Sequence, residues 1–298
     1  MLRKIIWNQT ENRIRAGWRI LIQILITSLP LSILGFSGFY DQGNIALKMS
    51  LTALPITVLS VIIVSRWIDK RKITDLGIQL GDKVWWRDFG FGVLAGVVSA
   101  STLTLLLRIF GWARVLPSFQ WRMDLGSFFG SLLVALLSYL GVGIFEELMR
   151  TYQVRNTVEG LERSNLGLVG AGILAVLVGG FWSVFAHISR PDPSFLIYVL
   201  VTAVIYGLFY LWTGRAALAM AIHFAWDFTN SNIFQLGSTS ETSLFFVRIA
   251  DMPDLDFDLM SLLGIIAKVF GLMLALLWIR RKEGKIQLKP GLDSPTLL

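Results

Sequence analysis

The sequence contains no cysteine and only two histidines among its 298 residues. Without cysteine, the chain can form no disulfide, no thiolate zinc site and no cysteine nucleophile. Charged residues are also scarce, at 16% of the chain, whereas soluble domains carry about 25%. Hydrophobic residues reach 54% and the mean hydropathy is +0.64. This composition is typical of a polytopic membrane protein and excludes an ordinary soluble enzyme or a disordered chain.

Long apolar stretches dominate the chain and predict an all-α fold with about eight transmembrane helices. The predicted spans cover residues 20–39, 46–64, 89–109, 127–145, 166–188, 195–211, 216–234 and 259–279. Pro30 interrupts the first span, which neighbouring helices can tolerate by covering the kink. The third span begins with Gly90, Gly92 and Gly96, and these glycines predict close packing against another helix.

The net charge of +7 comes from basic residues that lie between the apolar runs rather than on one face. This distribution favours membrane orientation over nucleic-acid binding, so we expect a lipid bilayer and no nucleic acid among the partners. A cytoplasmic N-terminus puts most of the 27 Lys and Arg residues on the inner side. We therefore predict one transmembrane domain over residues 1–298, with cytoplasmic tails at 1–19 and 280–298. The expected location is the bacterial cell membrane.

The fourth apolar run leads directly into Glu146, Glu147 and Arg150. Ionisable groups at membrane depth are costly, so they are functional-site candidates by default. Arg150 is four residues from Glu146 and three from Glu147, so it can reach either carboxylate on a helix. One interpretation is that Arg150 keeps one carboxylate ionised while the other, less solvated, serves as a general base. The alternative is a surface ion pair where the helix meets the lipid headgroups.

Both histidines of the chain also lie in apolar segments. His187 ends the fifth span, where it is either a site residue or an interfacial residue beside membrane-belt aromatics. His223 and Asp227 are four residues apart in the seventh span, so the carboxylate can orient the imidazole. The alternative for this second pair is a buried polar contact that joins two helices.

Together these motifs resemble the CPBP family of intramembrane proteases (CaaX protease and bacteriocin-processing, or abortive-infection-like), which includes the type II CaaX prenyl endopeptidases. The resemblance extends over a core of about 127–235 and rests on Glu146-Glu147-Leu-Met-Arg150, the Phe/His element ending at His187, and His223-Phe-Ala-Trp-Asp227. Two departures are visible. Only two residues separate Glu147 from Arg150, where the family usually has three, and Ser183 stands where the family commonly has phenylalanine.

The resemblance implies a glutamate-based endopeptidase without a cofactor. Glu146, helped by His187, would deprotonate a water that attacks a peptide carbonyl. His223, supported by Asp227, would stabilise the oxyanion, while the Glu147 and Arg150 side chains shape the site. The implied substrate is a membrane protein or a lipidated peptide. A zinc site built from Glu146, His187 and His223 is the second chemical alternative, since three N/O ligands plus water is a catalytic pattern.

Two other functions fit the same residues. The first is a member of the family that has lost activity and acts as a membrane scaffold, immunity or regulatory protein. The second is a transporter that relays protons through buried Glu, His and Asp. The protease interpretation carries one geometric difficulty. The predicted spans put His187 at the opposite membrane face from Glu146, so we expect the fifth span to be short, tilted or broken at Gly179-Gly180.

Overall fold

The computed structural model describes residues 5–41, 43–116, 125–161, 164–236, 246–249, 258–289 and 292. Eight α-helices account for most of these residues. They are α1 (Ala16–Phe36), α2 (Ile45–Ile63), α3 (Lys83–Ile109), α4 (Leu125–Leu161), α5 (Gly167–Ala186), α6 (Pro193–Thr213), α7 (Ala217–Phe228) and α8 (Leu259–Glu283). The all-α prediction is thus confirmed.

Seven of these helices are long and apolar enough to cross a membrane, and α7 is the exception. At about 1.5 Å per residue its twelve residues are shorter than a hydrocarbon core of about 30 Å. A π-helical turn, Thr229–Ile233, continues it. Every residue from Ala217 to Trp226 is buried. A helix that is apolar all round and buried belongs to the core of the bundle, which explains why its sequence resembles a lipid-facing span.

The long helix α4 departs most from the predicted boundaries, because it continues to Leu161 instead of ending near Phe145. The prediction used the charged residues as a stop signal, and this was wrong. Glu147 and Arg150 are buried inside the protein, where they pair with each other. They therefore need no headgroup contact, and the helix runs past them.

The buried helix α7 packs against α3, α4 and α6. Glycines on α3 permit the closest approach: a Cβ added at Gly92 or Gly96 would lie 2.7 Å from an alanine Cβ of α7. Nothing lies within 4 Å of a Cβ added at Gly90. The predicted close packing is confirmed for two of the three glycines. On the other side, Gly143 of α4 lies against the backbone of α7, with its added Cβ 3.0 Å from the amide nitrogen of Phe224.

The N-terminal segment is tied to α4 by a buried ionic cluster. A short hairpin of β1 (Trp7–Asn8) and β2 (Arg13–Ile14) precedes α1. Arg13, Arg19 and Arg71 all bind the carboxylate of Glu159 near the end of α4. Asp69 joins this cluster, and burial raises the pKa of its carboxyl, although Arg19 and Arg71 act in the opposite direction.

A second two-stranded sheet pairs β3 (Ala113–Leu116) with β4 (Phe246–Ile249) in antiparallel register. Beyond α8 the chain returns to the bundle, where the amide of Lys289 donates to the carbonyl of Leu211 at 2.8 Å. Of the predicted tails, residues 1–4, 290–291 and 293–298 lie outside the described part of the chain. The cytoplasmic placement of both tails stays a prediction.

Candidate active site

The two adjacent carboxylates on α4 have different surroundings. The Glu147 side chain is only 1% exposed, and its Oε1 accepts from Nη1 of Arg150, three residues along the helix. The Glu146 side chain is 26% exposed and makes no ion pair with Arg150 in the described chain. The residue spacing allowed Arg150 to reach either acid, and the structure selects Glu147. The carboxylate that Arg150 does not bind is therefore the more exposed one, and the expectation that it would be less solvated was wrong.

This burial also decides one of the sequence alternatives. Arg150 is 6% exposed and Glu147 1%. A pair at the headgroup boundary would keep at least one of its members in water. The Glu147–Arg150 pair is therefore an interior ion pair and not a surface one. Removing either side chain would leave the other charge buried and uncompensated, which destabilises the fold.

His223 on α7 lies between carboxylates on both sides of its ring. Its Nδ1 is 2.8 Å from Oε1 of Glu147, and its Nε2 is 3.3 Å from Oδ2 of Asp227. The same Nε2 is 3.8 Å from Oε2 of Glu146. A neutral imidazole can donate from only one nitrogen, whereas the protonated ring donates from both. This arrangement makes His223 a hydrogen-bond donor whose Nε2 is directed towards Asp227 and Glu146.

The helix α5 reaches the same site through Ser183. Nη2 of Arg150 donates to Oγ of Ser183 at 3.1 Å, and that hydroxyl donates to the Gly179 carbonyl. A Cβ added at Gly179 would lie 3.4 Å from Cγ of Arg150 and 3.5 Å from Val154. Since Arg150 meets Ser183 while Val154 meets Gly179, α4 and α5 run antiparallel. The serine that replaces the family's phenylalanine thus supports the arginine.

His187 follows the last residue of α5, one turn beyond Ser183. Its Nδ1 lies 2.9 Å from the Ser183 carbonyl oxygen, and its ring packs on Phe195 at 6.0 Å between centroids. A carbonyl oxygen can only accept, so Nδ1 carries the proton of this bond and Nε2 is left as an acceptor. Within the described chain, His187 makes no hydrogen bond or ion pair with Glu146 or His223. His187 therefore lies one helical turn from Ser183, which contacts Arg150, and it does not contact the His223 imidazole directly.

The predicted break at Gly179-Gly180 was wrong, because α5 is one continuous helix from Gly167 to Ala186. Its glycines serve as packing points. Gly179 faces α4, and a Cβ at Gly180 would meet Leu200 of α6 at 2.8 Å. The geometric difficulty arose from ending the fourth span at Phe145. With α4 extending to Leu161, Glu146 lies well inside that helix, alongside the end of α5.

Two side chains near His223 were not among the predicted site residues. Tyr206 of α6 has its ring 5.2 Å from the imidazole, and the guanidinium carbon of Arg150 lies 5.7 Å from the Tyr206 ring. Lys268 of α8 hydrogen-bonds to the Tyr206 hydroxyl. Lys268 could have been found from sequence, because it is a lone cation in an apolar span. Tyr206 gives no such signal, since aromatic residues are common throughout this chain.

The arrangement of possible metal ligands bears on the zinc alternative. Within the described ranges, no group of three or more His, Asp or Glu side chains is arranged so that it could hold a metal ion. Glu146 and His223 are neighbours, but His187 makes its contacts with Ser183 and Phe195.

Comparison with protein families gives a match, and it covers the segment that carries these residues. Residues 128–229 match the family model described as type II CAAX prenyl endopeptidase, Rce1-like. The matched segment includes the carboxylates of α4, both histidines and Asp227, but it ends before α8. Neither the comparison with curated proteins nor that with solved structures gave a match. Together with its long apolar helices, this match identifies an integral, multi-pass membrane protein.

Proposed function

We propose that this chain, whose residues 128–229 match the Rce1-like type II CAAX prenyl endopeptidase model, is an intramembrane protease of the CPBP type that hydrolyses a peptide bond in a membrane-associated protein or lipidated peptide. The observation that supports this most is the position of His223. Its imidazole is held between Glu147 and Asp227, and its Nε2 is directed towards the partly exposed Glu146. A purely structural polar contact between two helices would not require three carboxylates around one imidazole.

In the proposed reaction, Glu146 is the general base. It takes a proton from a water molecule, and the resulting oxygen nucleophile attacks the scissile carbonyl. The separation of 3.8 Å between Oε2 of Glu146 and Nε2 of His223 exceeds a direct hydrogen bond. An oxygen atom of the reacting group can bridge the two side chains from one side, within hydrogen-bond reach of both. General-base assistance of this kind contributes about 10²–10⁴-fold to the rate.

His223 acts in the same step as the donor to the oxyanion. As negative charge develops on the carbonyl oxygen, the Nε2–H bond turns from the Asp227 carboxylate to this stronger acceptor. Glu147 holds the opposite nitrogen of the ring, and Arg150 holds Glu147. A pre-oriented donor is worth about 10²–10³-fold in kcat.

Collapse of the tetrahedral intermediate breaks the C–N bond, and the leaving amine needs a proton. Glu146 returns the proton that it took from water. His187 assists on the acceptor side: with its Nδ1 proton bound to the Ser183 carbonyl, its Nε2 has a lone pair available for the attacking water. Glu146 and His187 thus accept protons, while His223 donates a hydrogen bond.

The direct test uses the purified protein in lipid nanodiscs and a farnesylated fluorogenic peptide that ends in a CaaX motif. We expect Glu146→Gln to reduce kcat by about 10²–10⁴-fold and His223→Gln by about 10²–10³-fold. Glu283→Gln is the matched control. Its carboxylate is on a membrane helix and 25% exposed, but it binds Arg215 and Lys289 instead of the site. This control should leave the rate unchanged.

A wild-type protein that leaves the farnesylated peptide intact would exclude this lipidated substrate. Capture of membrane proteins by the Glu146→Gln variant, followed by mass spectrometry of their ends, then tests unmodified substrates. Equal cleavage by wild type, Glu146→Gln and His223→Gln would remove the hydrolytic proposal. It would leave the non-enzymatic family member as the interpretation.

A further inference from the structure

A buried lysine on α8 lies beside the proposed site. Lys268 is only 3% exposed and occupies the first half of α8, a helix whose other residues at this level are apolar. An uncompensated cation at this depth is unfavourable, so its partners indicate why it is there. The family match ends at residue 229, so this helix lies outside the matched segment.

The partners of Lys268 are both neighbours of site residues. Its Nζ donates to the hydroxyl of Tyr206, whose ring is in turn 5.2 Å from the His223 ring. The same Nζ lies 3.9 Å from the centroid of the Trp226 ring, and Trp226 directly precedes Asp227 on α7. Lys268 therefore contacts Tyr206, whose ring lies near the imidazole, and Trp226, which precedes Asp227. No other hydrogen bond joins its ammonium to a side chain within the described part of the molecule.

The charges around His223 give Lys268 a second effect. Three carboxylates surround the imidazole, those of Glu146, Glu147 and Asp227. Arg150 neutralises Glu147, and Lys268, which lies over the ring of Trp226 next to Asp227, is a second cation near the site. With Arg150 as the only cation, the three ionised acids would leave an excess of two negative charges. Lys268 reduces the excess to one, which a protonated His223 can balance in this low-dielectric interior.

We propose that Lys268 is a positioning residue of this site, which holds Tyr206 against the imidazole of His223 and offsets the charge of the surrounding carboxylates. Its effect on catalysis rests on the proposed function, but its effect on His223 does not. The competing explanation is that the Lys268–Tyr206 bond merely joins α8 to α6. The two explanations differ in what happens to the His223 ring when the bond is removed from a folded protein.

The chain has only two histidines, so NMR of the protein with isotope-labelled histidine in nanodiscs gives two imidazole environments. These are assigned with His187→Gln and His223→Gln. We expect Lys268→Met and Tyr206→Phe to move the ring signals of His223 and to leave those of His187 in place. Lys268→Arg, which keeps the charge, should move them less than Lys268→Met. Lys282→Met is the matched control on the same helix, because Lys282 binds Asp88 instead of Tyr206.

Unchanged His223 signals in a folded Lys268→Met protein would overturn the proposal, as would equal movement of both histidines, which indicates a general rearrangement. If Lys268→Met does not fold, Tyr206→Phe decides on the same criteria, because it retains the ring and the lysine. With a cleavable substrate, kcat of Lys268→Met should fall about tenfold or more, with KM nearly unchanged. A protein that cleaves no substrate but shows the NMR shift refutes the proposed function and keeps this inference.

Discussion

The buried pair of Glu147 and Arg150 allows stability and activity to be separated by a double-mutant cycle. Glu147→Met removes the carboxylate and leaves the guanidinium of Arg150 buried with Ser183 as its hydrogen-bond partner. Arg150→Met leaves the Glu147 carboxylate, which is 1% exposed, with His223 alone. Breaking a buried ion pair from one side costs about 3–5 kcal/mol, because the remaining charge is uncompensated. Each single variant should lose that amount of unfolding free energy.

The double variant, Glu147→Met with Arg150→Met, should be more stable than either single variant. It contains no unpaired charge from this pair, and apolar replacements of similar volume are often neutral. What remains is the loss of the acceptor for Nδ1 of His223, at 2.8 Å in the wild type. An unsatisfied buried donor costs about 1–3 kcal/mol. We therefore expect a loss of about 1–3 kcal/mol in the double variant, well below the sum of the single losses.

Both quantities can be measured on the same preparations. Denaturant titration followed by tryptophan fluorescence gives the free energy of unfolding, and peptide cleavage gives activity. All three variants should be inactive, because each one disturbs the support of His223. Additive losses, with the double variant as unstable as the two single changes together, would refute the ion-pair reasoning. Recovery of activity along with stability would refute the role of Glu147 in holding the imidazole.

Three further predictions concern packing, topology and metal. Gly96→Ala would put a Cβ 2.8 Å from a backbone oxygen of α7, so it should lower the free energy of unfolding by about 1–3 kcal/mol and reduce cleavage. Gly90→Ala is the control: nothing lies within 4 Å of its Cβ, so thermal unfolding and cleavage rate should not change. The chain is naturally free of cysteine, so single cysteines can report topology. Cysteines at Gln9 and Lys285 should react with an impermeant maleimide from one membrane face, and a cysteine at Asp41 from the other. Labelling of Gln9 and Lys285 from opposite faces would contradict the predicted topology. Cleavage should persist after exhaustive treatment with EDTA, and loss of activity restored by added Zn²⁺ would instead favour a zinc enzyme.

The helix α4 links the proposed site to the N-terminal segment. The second half of α4 carries its charged residues. Glu146 and Glu147 lie at the start of this half, and Glu159, which binds three arginines, lies near its end. Glu147 and Glu159 are buried with their arginines, whereas the Glu146 side chain is 26% exposed, so most of this charge is neutralised inside the bundle. This explains why a helix of 37 residues contains a long polar half and still packs tightly.

The sequence alone predicted the all-α membrane fold, which the structure confirms, and the candidate site residues, whose roles stay a proposal. Apolar runs of about 20 residues specify helices in a lipid bilayer, because no water is present there and the backbone groups must be satisfied within the segment. The spacing of His223 and Asp227 on one helix fixed their contact in advance. The motifs around both histidines and the two glutamates were sufficient to suggest the family, and the match over residues 128–229 supports it.

Only the tertiary structure decided which groups meet. Arg150 could reach Glu146 or Glu147 along the helix, and the choice of Glu147 depends on Ser183 and His223 arriving from α5 and α7. The end of α4 was misjudged for the same reason, since charges stop a helix at the membrane surface only when no interior partner neutralises them. Local sequence records propensity and spacing, whereas burial and charge pairing depend on helices that are distant in the chain.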